Sequence, residues 1–102
     1  MSFKKQYLKN KSVCKVTFNL SKKETGAAKT ANLVGDFNNW DTVATPMKKS
    51  KNGNFTVTLD LEPGREYQFR YFLNGERWTN DPKADKYIPV PEVNAENGVV
   101  VL

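Results

Sequence analysis

Phe55-Thr-Val-Thr-Leu-Asp-Leu-Glu-Pro-Gly-Arg-Glu-Tyr-Gln-Phe-Arg-Tyr-Phe-Leu73 is the stretch on which the fold class turns. Phe55, Val57, Leu59 and Leu61 share one parity and Thr56, Thr58 and Asp60 the other, the period of a strand with one buried face. Glu62-Pro63-Gly64-Arg65 then reads as a turn, with proline presetting φ and glycine accepting a positive φ. The alternation resumes at once, with Tyr67, Phe69, Tyr71 and Leu73 inward and Gln68, Arg70 and Phe72 outward.

Outward from this stretch the same period recurs. Cys14, Val16, Phe18 and Leu20 alternate with Lys15, Thr17 and Asn19, and Ala31, Leu33, Gly35 and Phe37 share a parity on a further strand. Ser21 to Thr30 between them is polar, as an exposed connection would be. Asn52-Gly53 suits a turn with positive φ and predicts a hairpin, and Asn74-Gly75 turns the chain again. Glu76 to Thr79 reads as a short return strand, Asn80 to Lys86 as a loop around Asp81-Pro82, and Val99 to Leu102 as a last strand. Sustained helical periodicity is absent after about residue 11. About seven short strands with regularly spaced turns predict an all-β, antiparallel sandwich of immunoglobulin-like type.

The 102 residues suffice for one core, and 38% apolar with 26% charged residues is the composition of a chain that folds. Residues 1–11 read as a basic arm whose order the sequence leaves open, and the sandwich is expected over residues 12–102. The opening run has the basic residues of a signal peptide without the apolar stretch that should follow. With no run of apolar residues long enough for a membrane span and a single cysteine, Cys14, the expected compartment is the cytoplasm. The net charge is +5, and five of the thirteen lysines lie within the first fifteen residues. A polyanion is thereby a partner to weigh, but no RNP-like aromatic set, zinc-finger spacing or basic helix organises those lysines, and nucleic acid is not expected.

There is no histidine, which removes Ser-His-Asp triads, Cys-His pairs and the common zinc sets. Phosphate cradles fail too, because no glycine-rich loop opens a helix. No metal or cofactor is expected. Asp81 and Asp85 are close enough in sequence to be weighed as a glycosidase pair, but Asn-Asp-Pro is a strong turn former and its aspartate is expected to close the turn. Leu33-Val-Gly-Asp-Phe-Asn-Asn-Trp-Asp41 differs in kind: a strand runs into a loop of amides ending on an indole. Amides and aromatics together suit sugars, whose C–H faces lie on an indole and whose hydroxyls take planar hydrogen bonds. On composition alone, Trp40 reads better as a core residue or an anchor for its own loop.

These segments resemble the glycogen-binding, isoamylase amino-terminal type of carbohydrate-binding module, an early-set immunoglobulin-like fold found on branching and debranching enzymes and on β subunits of AMP-activated protein kinase. The likeness runs through Leu33 to Asp41, Pro46-Met47, Asn52-Gly-Asn-Phe55, Leu59-Asp-Leu-Glu-Pro-Gly64, Tyr67-Gln-Phe-Arg-Tyr-Phe72, Asn74-Gly75, Trp78-Thr-Asn-Asp-Pro82, Ala84-Asp-Lys-Tyr87 and Asn97-Gly-Val-Val-Val-Leu102. More narrowly, the chain is similar to small bacterial proteins made of this module with a lysine-rich amino terminus. The resemblance implies a noncatalytic site for α-1,4-glucans (glycogen, starch or maltooligosaccharides) in which Trp40 and Trp78 embrace the chain, Arg70 bonds its hydroxyls and Asn97 adds a contact. Relatives often carry an aromatic-Gly or Leu-Gly-Thr stretch before that last residue, whereas here it is Pro91-Glu-Val-Asn-Ala-Glu-Asn97. A shallow exposed site of this kind implies a Kd of roughly 10 μM to 1 mM. The alternative is a module that docks on a glucan-metabolising enzyme without useful sugar affinity.

The site requires Arg70 and Trp78 to share a face. A two-residue Asn74-Gly75 turn would pair Tyr71 with Trp78 and send the indole to the core side. A three-residue loop of Leu73, Asn74 and Gly75 would pair Phe72 with Glu76 and Arg70 with Trp78, leaving both outward. The second register is expected, because Tyr67, Phe69 and Tyr71 already fill the inward side.

Overall fold

The computed structural model describes residues 3–8, 12–26, 28–93 and 95–102. They form an all-β, immunoglobulin-like sandwich. The first antiparallel sheet contains β1 (Phe3–Tyr7), β2 (Cys14–Leu20), β4 (Lys48–Lys49) and β5 (Phe55–Leu61), in the order β1-β2-β5-β4. The second contains β3 (Ala31–Gly35), β6 (Glu66–Leu73), β8 (Lys86–Val90) and β9 (Ala95–Val101), in the order β3-β6-β9-β8, with β7 (Arg77–Thr79) also alongside β6. One helical turn, α1 (Lys22–Thr25), opens on a Ser21–Glu24 capping box and closes on Gly26 in the left-handed region.

The strand pattern read at Phe55–Leu73 holds in detail. Tyr67, Phe69, Tyr71 and Leu73 are at most 5% exposed and meet Val16, Phe18, Leu20 and Phe55 across the sandwich in one apolar cluster. Phe18, Phe69 and Tyr71 interlock edge to face at centroid distances of 5.2 and 5.7 Å, the arrangement that ring quadrupoles favour. Gly64 turns the chain between β5 and β6 with φ 79°. The Asn52-Gly53 turn is also present, with Gly53 at φ 85°, although its first strand, β4, has only two residues.

Nine strands, rather than about seven, appear among the described residues. Phe3–Tyr7, within the segment read as a basic arm, pairs with β2 over its whole length, and Phe3 is buried in the core against the rings of Phe18 and Phe69. Lysines at positions 4 and 5 hid this strand. Lys4 faces outward, and Lys5 reaches across to Asp85 near the second sheet at 2.7 Å. Residues 9–11 lie outside the described residues. β8 is a strand that alternation does not reveal, because Pro89 and a run without clear alternation mask an edge strand, where a missing N–H is tolerated. β9 starts at Ala95, four residues earlier than expected, and Phe37 leaves its strand for a 3₁₀ turn over Asp36–Asn38 while still packing on the core.

The β6–β7 hairpin corrects the expected register. Tyr71 pairs with Thr79, Phe72 with Trp78 and Leu73 with Arg77. Asn74 and Gly75 take φ 54° and 68°, the pair of positive values that a type I′ turn requires, and Glu76 N–H donates to Leu73 C=O at 3.0 Å. Glu76 is then the extra residue of a bulge opposite Leu73. The reason is Leu73 itself: the expected loop would have removed it from the core, where it is 1% exposed and contributes about 2 kcal/mol. Two further bonds clamp the turn, from Lys29 N–H to Asn74 Oδ1 and from Asn74 N–H to Thr30 C=O. The shift is two residues from the expected register, so parity is kept and Trp78 still emerges beside Arg70.

Candidate functional site

The outer face of the second sheet is unusually apolar beneath its polar surface. Val34 and Val99 are fully buried yet stand outside the inter-sheet cluster, and their pairing partners, Arg70 and Gln68, are outward residues of β6. At Val34 and Val99 this sheet is therefore covered on both sides, which explains why β3 does not alternate cleanly in burial.

Trp40 reaches that face through a tight loop. Gly35 ends β3 where an added Cβ would lie 2.4 Å from the Gln68 carbonyl and 2.9 Å from the Phe69 side chain, so only glycine permits the close approach to β6. Asn38 then holds the turn from inside: its Oδ1 accepts from Gly35 N–H, and its Nδ2 donates to Leu33 C=O and Thr45 Oγ1. Asn39 and Trp40 both adopt left-handed φ, 57° and 58°, a strained placement for an indole-bearing residue. Asp36 fixes the ring, accepting from Trp40 Nε1 at 2.9 Å and from Gln68 N–H at 2.8 Å. With its N–H so engaged, Trp40 offers a ring rather than a donor.

Trp78 stands on β7, 41% exposed, with the Phe72 ring tilted against it at 4.5 Å. Arg70 emerges on the same outer face, and its Nε–H is shared by Asn97 Oδ1 at 2.8 Å and Glu96 C=O at 3.1 Å. Asn97 in turn donates to Gln68 Oε1 at 3.0 Å. That chain aims the guanidinium; among the described residues its terminal nitrogens meet no protein acceptor. Asn97 retains one N–H and one lone pair.

All four residues named from sequence, Trp40, Arg70, Trp78 and Asn97, line one open depression of about 460 Å³, with Val90 as the fifth wall. A larger hollow of about 630 Å³, lined by residues such as Asn19, Ser21, Lys23 and Lys83, has no aromatic in its lining and cannot offer a ring to stack on. Sequence reading missed Asp36, Gln68, Phe72 and Val90, which act through neighbours brought together by the sheet. Only Phe72 left a trace, as an aromatic on the outward parity of β6.

Asp81 and Asp85 are both committed to structure. Asp81 is fully buried, accepting from Tyr71 Oη at 2.8 Å and Lys83 N–H at 2.8 Å. Asp85 takes Lys5 and Val101 N–H. No set of three potential metal-ligating side chains gathers among the described residues, and no helix there is long and apolar enough to cross a membrane.

Over 41 residues the chain is 51% identical to a 1,4-alpha-glucan-branching enzyme of Saccharomyces cerevisiae, covering 39% of this chain and 6% of that protein. Over 50 residues it is 40% identical to Protein PTST homolog 2, chloroplastic, of Arabidopsis thaliana, covering 49% of this chain and 9% of that protein. The matched segments thus span less than a tenth of either relative. A family profile for carbohydrate-binding module 48, the isoamylase N-terminal domain, matches residues 25–88, from the last residue of α1 into β8, and the chain belongs to that family.

Proposed function

We propose that the chain binds α-1,4-glucans without cleaving them, through Trp40, Trp78, Arg70 and Asn97. The observation that carries this is their convergence on one depression of the second sheet. The two indoles supply the apolar surface on which the C–H faces of glucose rest, and each ring is held before the sugar arrives, Trp40 by Asp36 and Trp78 by Phe72. Arg70, aimed by Asn97 and Glu96, presents a planar fork to adjacent hydroxyls. Preorganisation lowers the ordering cost of binding, but an open site excludes little water, and affinity stays in the micromolar to millimolar range. The membership in a carbohydrate-binding family and the match to a glucan-branching enzyme support this choice of sugar.

Calorimetric titration with maltoheptaose at about 50 and 200 mM salt tests it. A neutral ligand gives the same affinity at both, whereas phosphate neutralisation would lower affinity steeply across that range. Salt-sensitive nucleic-acid binding in the absence of glucan binding would refute the proposal.

The second reading, docking on a glucan-metabolising enzyme, draws on the branching-enzyme match and on Val43, 76% exposed on the loop that carries Trp40. Retention of such an enzyme by a Trp40→Ala, Trp78→Ala double variant that has lost glucan affinity would favour it.

A further inference from the structure

The depression under Trp40 does not end at Trp78. Arg70 and Trp78 also line a small adjoining hollow with Thr79, Asn80, Ala95 and Glu96. Trp78 and Thr79 also line a third, of about 330 Å³, together with Leu73 and Arg77 and with Lys23, Glu24, Thr25 and Gly26 at the end of α1. Trp78 thus lines all three hollows, and the third is a groove lined also by the end of α1.

Resting on the glucan reading, we infer that this groove is a second subsite, which takes the continuation of a long α-glucan past Trp78. Arg77 is fixed there: its Nη2 donates to Thr25 C=O at 2.7 Å, which spans β7 to α1 and leaves the rest of the guanidinium as donors along the groove. Lys23 and Thr79 form no ion pair or side-chain hydrogen bond among the described residues and add an ammonium and a hydroxyl. Glu24, whose Oε1 accepts from Ser21 N–H, adds a carboxylate beside them. Cations, a hydroxyl and a carboxylate in one lining match the alternating donors and acceptors of a neutral polyol; an anion would meet Glu24. With no ring beyond Trp78, the subsite contributes hydrogen bonds alone and tells long chains from short ones without binding short ones itself.

The test is the ratio of maltodecaose to maltotriose affinity, since only the longer sugar has rings to spare for a groove past Trp78. Arg77→Ala is expected to lower that ratio about fivefold, the size of one lost hydrogen bond, with maltotriose affinity changed by less than about twofold. Because Arg77 also holds α1, a Lys23→Ala, Thr79→Val double variant, which removes no side-chain bond of the fold, is measured beside it and is expected to lower the ratio in the same direction. An unchanged ratio in folded protein of both kinds, or a wild-type chain that binds the two sugars equally, overturns the subsite alone. Absence of maltotriose and maltodecaose binding by the wild type overturns the glucan reading and the subsite with it.

Discussion

Trp40 and Trp78 are placed by opposite means. Trp40 sits half-buried in a left-handed loop conformation and spends its N–H on Asp36, whereas Trp78 stands on a regular strand and leans on Phe72. Neither belongs to the inter-sheet core. Trp40→Ala and Trp78→Ala are therefore each expected to weaken maltoheptaose binding about tenfold or more while cooperative unfolding is retained. Calorimetry and thermal unfolding measured together check this, and collapse of the fold in either variant would return that indole to a structural role. At this scale the sequence was informative where chemistry is carried by residue type, in two indoles and an outward arginine. It was silent on Asp36 and Gln68, whose roles exist only once β6 lies beside the loop after β3.

The elements were legible wherever one face is buried and the other wet, because alternation then reports burial directly. That describes β2, β5 and β6. It failed for β1, where Lys5 takes an inward-parity position and spans to Asp85, and for β8, an edge strand interrupted by Pro89. Hairpin register was half legible: parity followed from the crowded inward side, but the position of the bulge depended on keeping Leu73 in the core and on Asn74 bonding the segment before β3. Because Glu76 is the bulge, deleting it should leave a two-residue Asn74-Gly75 turn with Phe72 still opposite Trp78. Maltoheptaose affinity in the deletion variant is expected within about threefold of wild type, and cross-strand contacts between Phe72 and Trp78 in NMR spectra should persist. Loss of those contacts would show that Glu76 sets the register.

Across the whole molecule, two buried groups tie stability to alkaline pH. Burial, reinforced by the neighbouring Asp81 charge, pushes the Tyr71 phenol well above its ordinary value, and burial also raises the Cys14 thiol. Both are neutral when protonated, so the folded state holds these protons more tightly than the unfolded chain. Their contribution is complete below the unfolded values, about 9 for the thiol and about 10 for the phenol, and is lost as pH rises from there through the higher folded-state values, at up to about 1.4 kcal/mol per pH unit for each proton. Denaturant midpoints should be level from pH 7 to 9 and fall beyond. Tyr71→Phe should make that fall shallower although it lowers stability at neutral pH, since Asp81 loses its hydroxyl partner. An unchanged alkaline slope in Tyr71→Phe would contradict this assignment. The same sandwich that buries Tyr71 on one side of β6 presents Arg70 on the other, and the central claim is that this outer face holds a glucan. Titration of isotope-labelled protein with maltoheptaose, followed by amide and indole NMR shifts, tests it most directly. Saturable shifts concentrated at Trp40, Arg70, Trp78 and Asn97 are expected, with β2 and β5 unmoved; silence at millimolar sugar, or shifts confined to the first sheet, would refute glucan binding at this face.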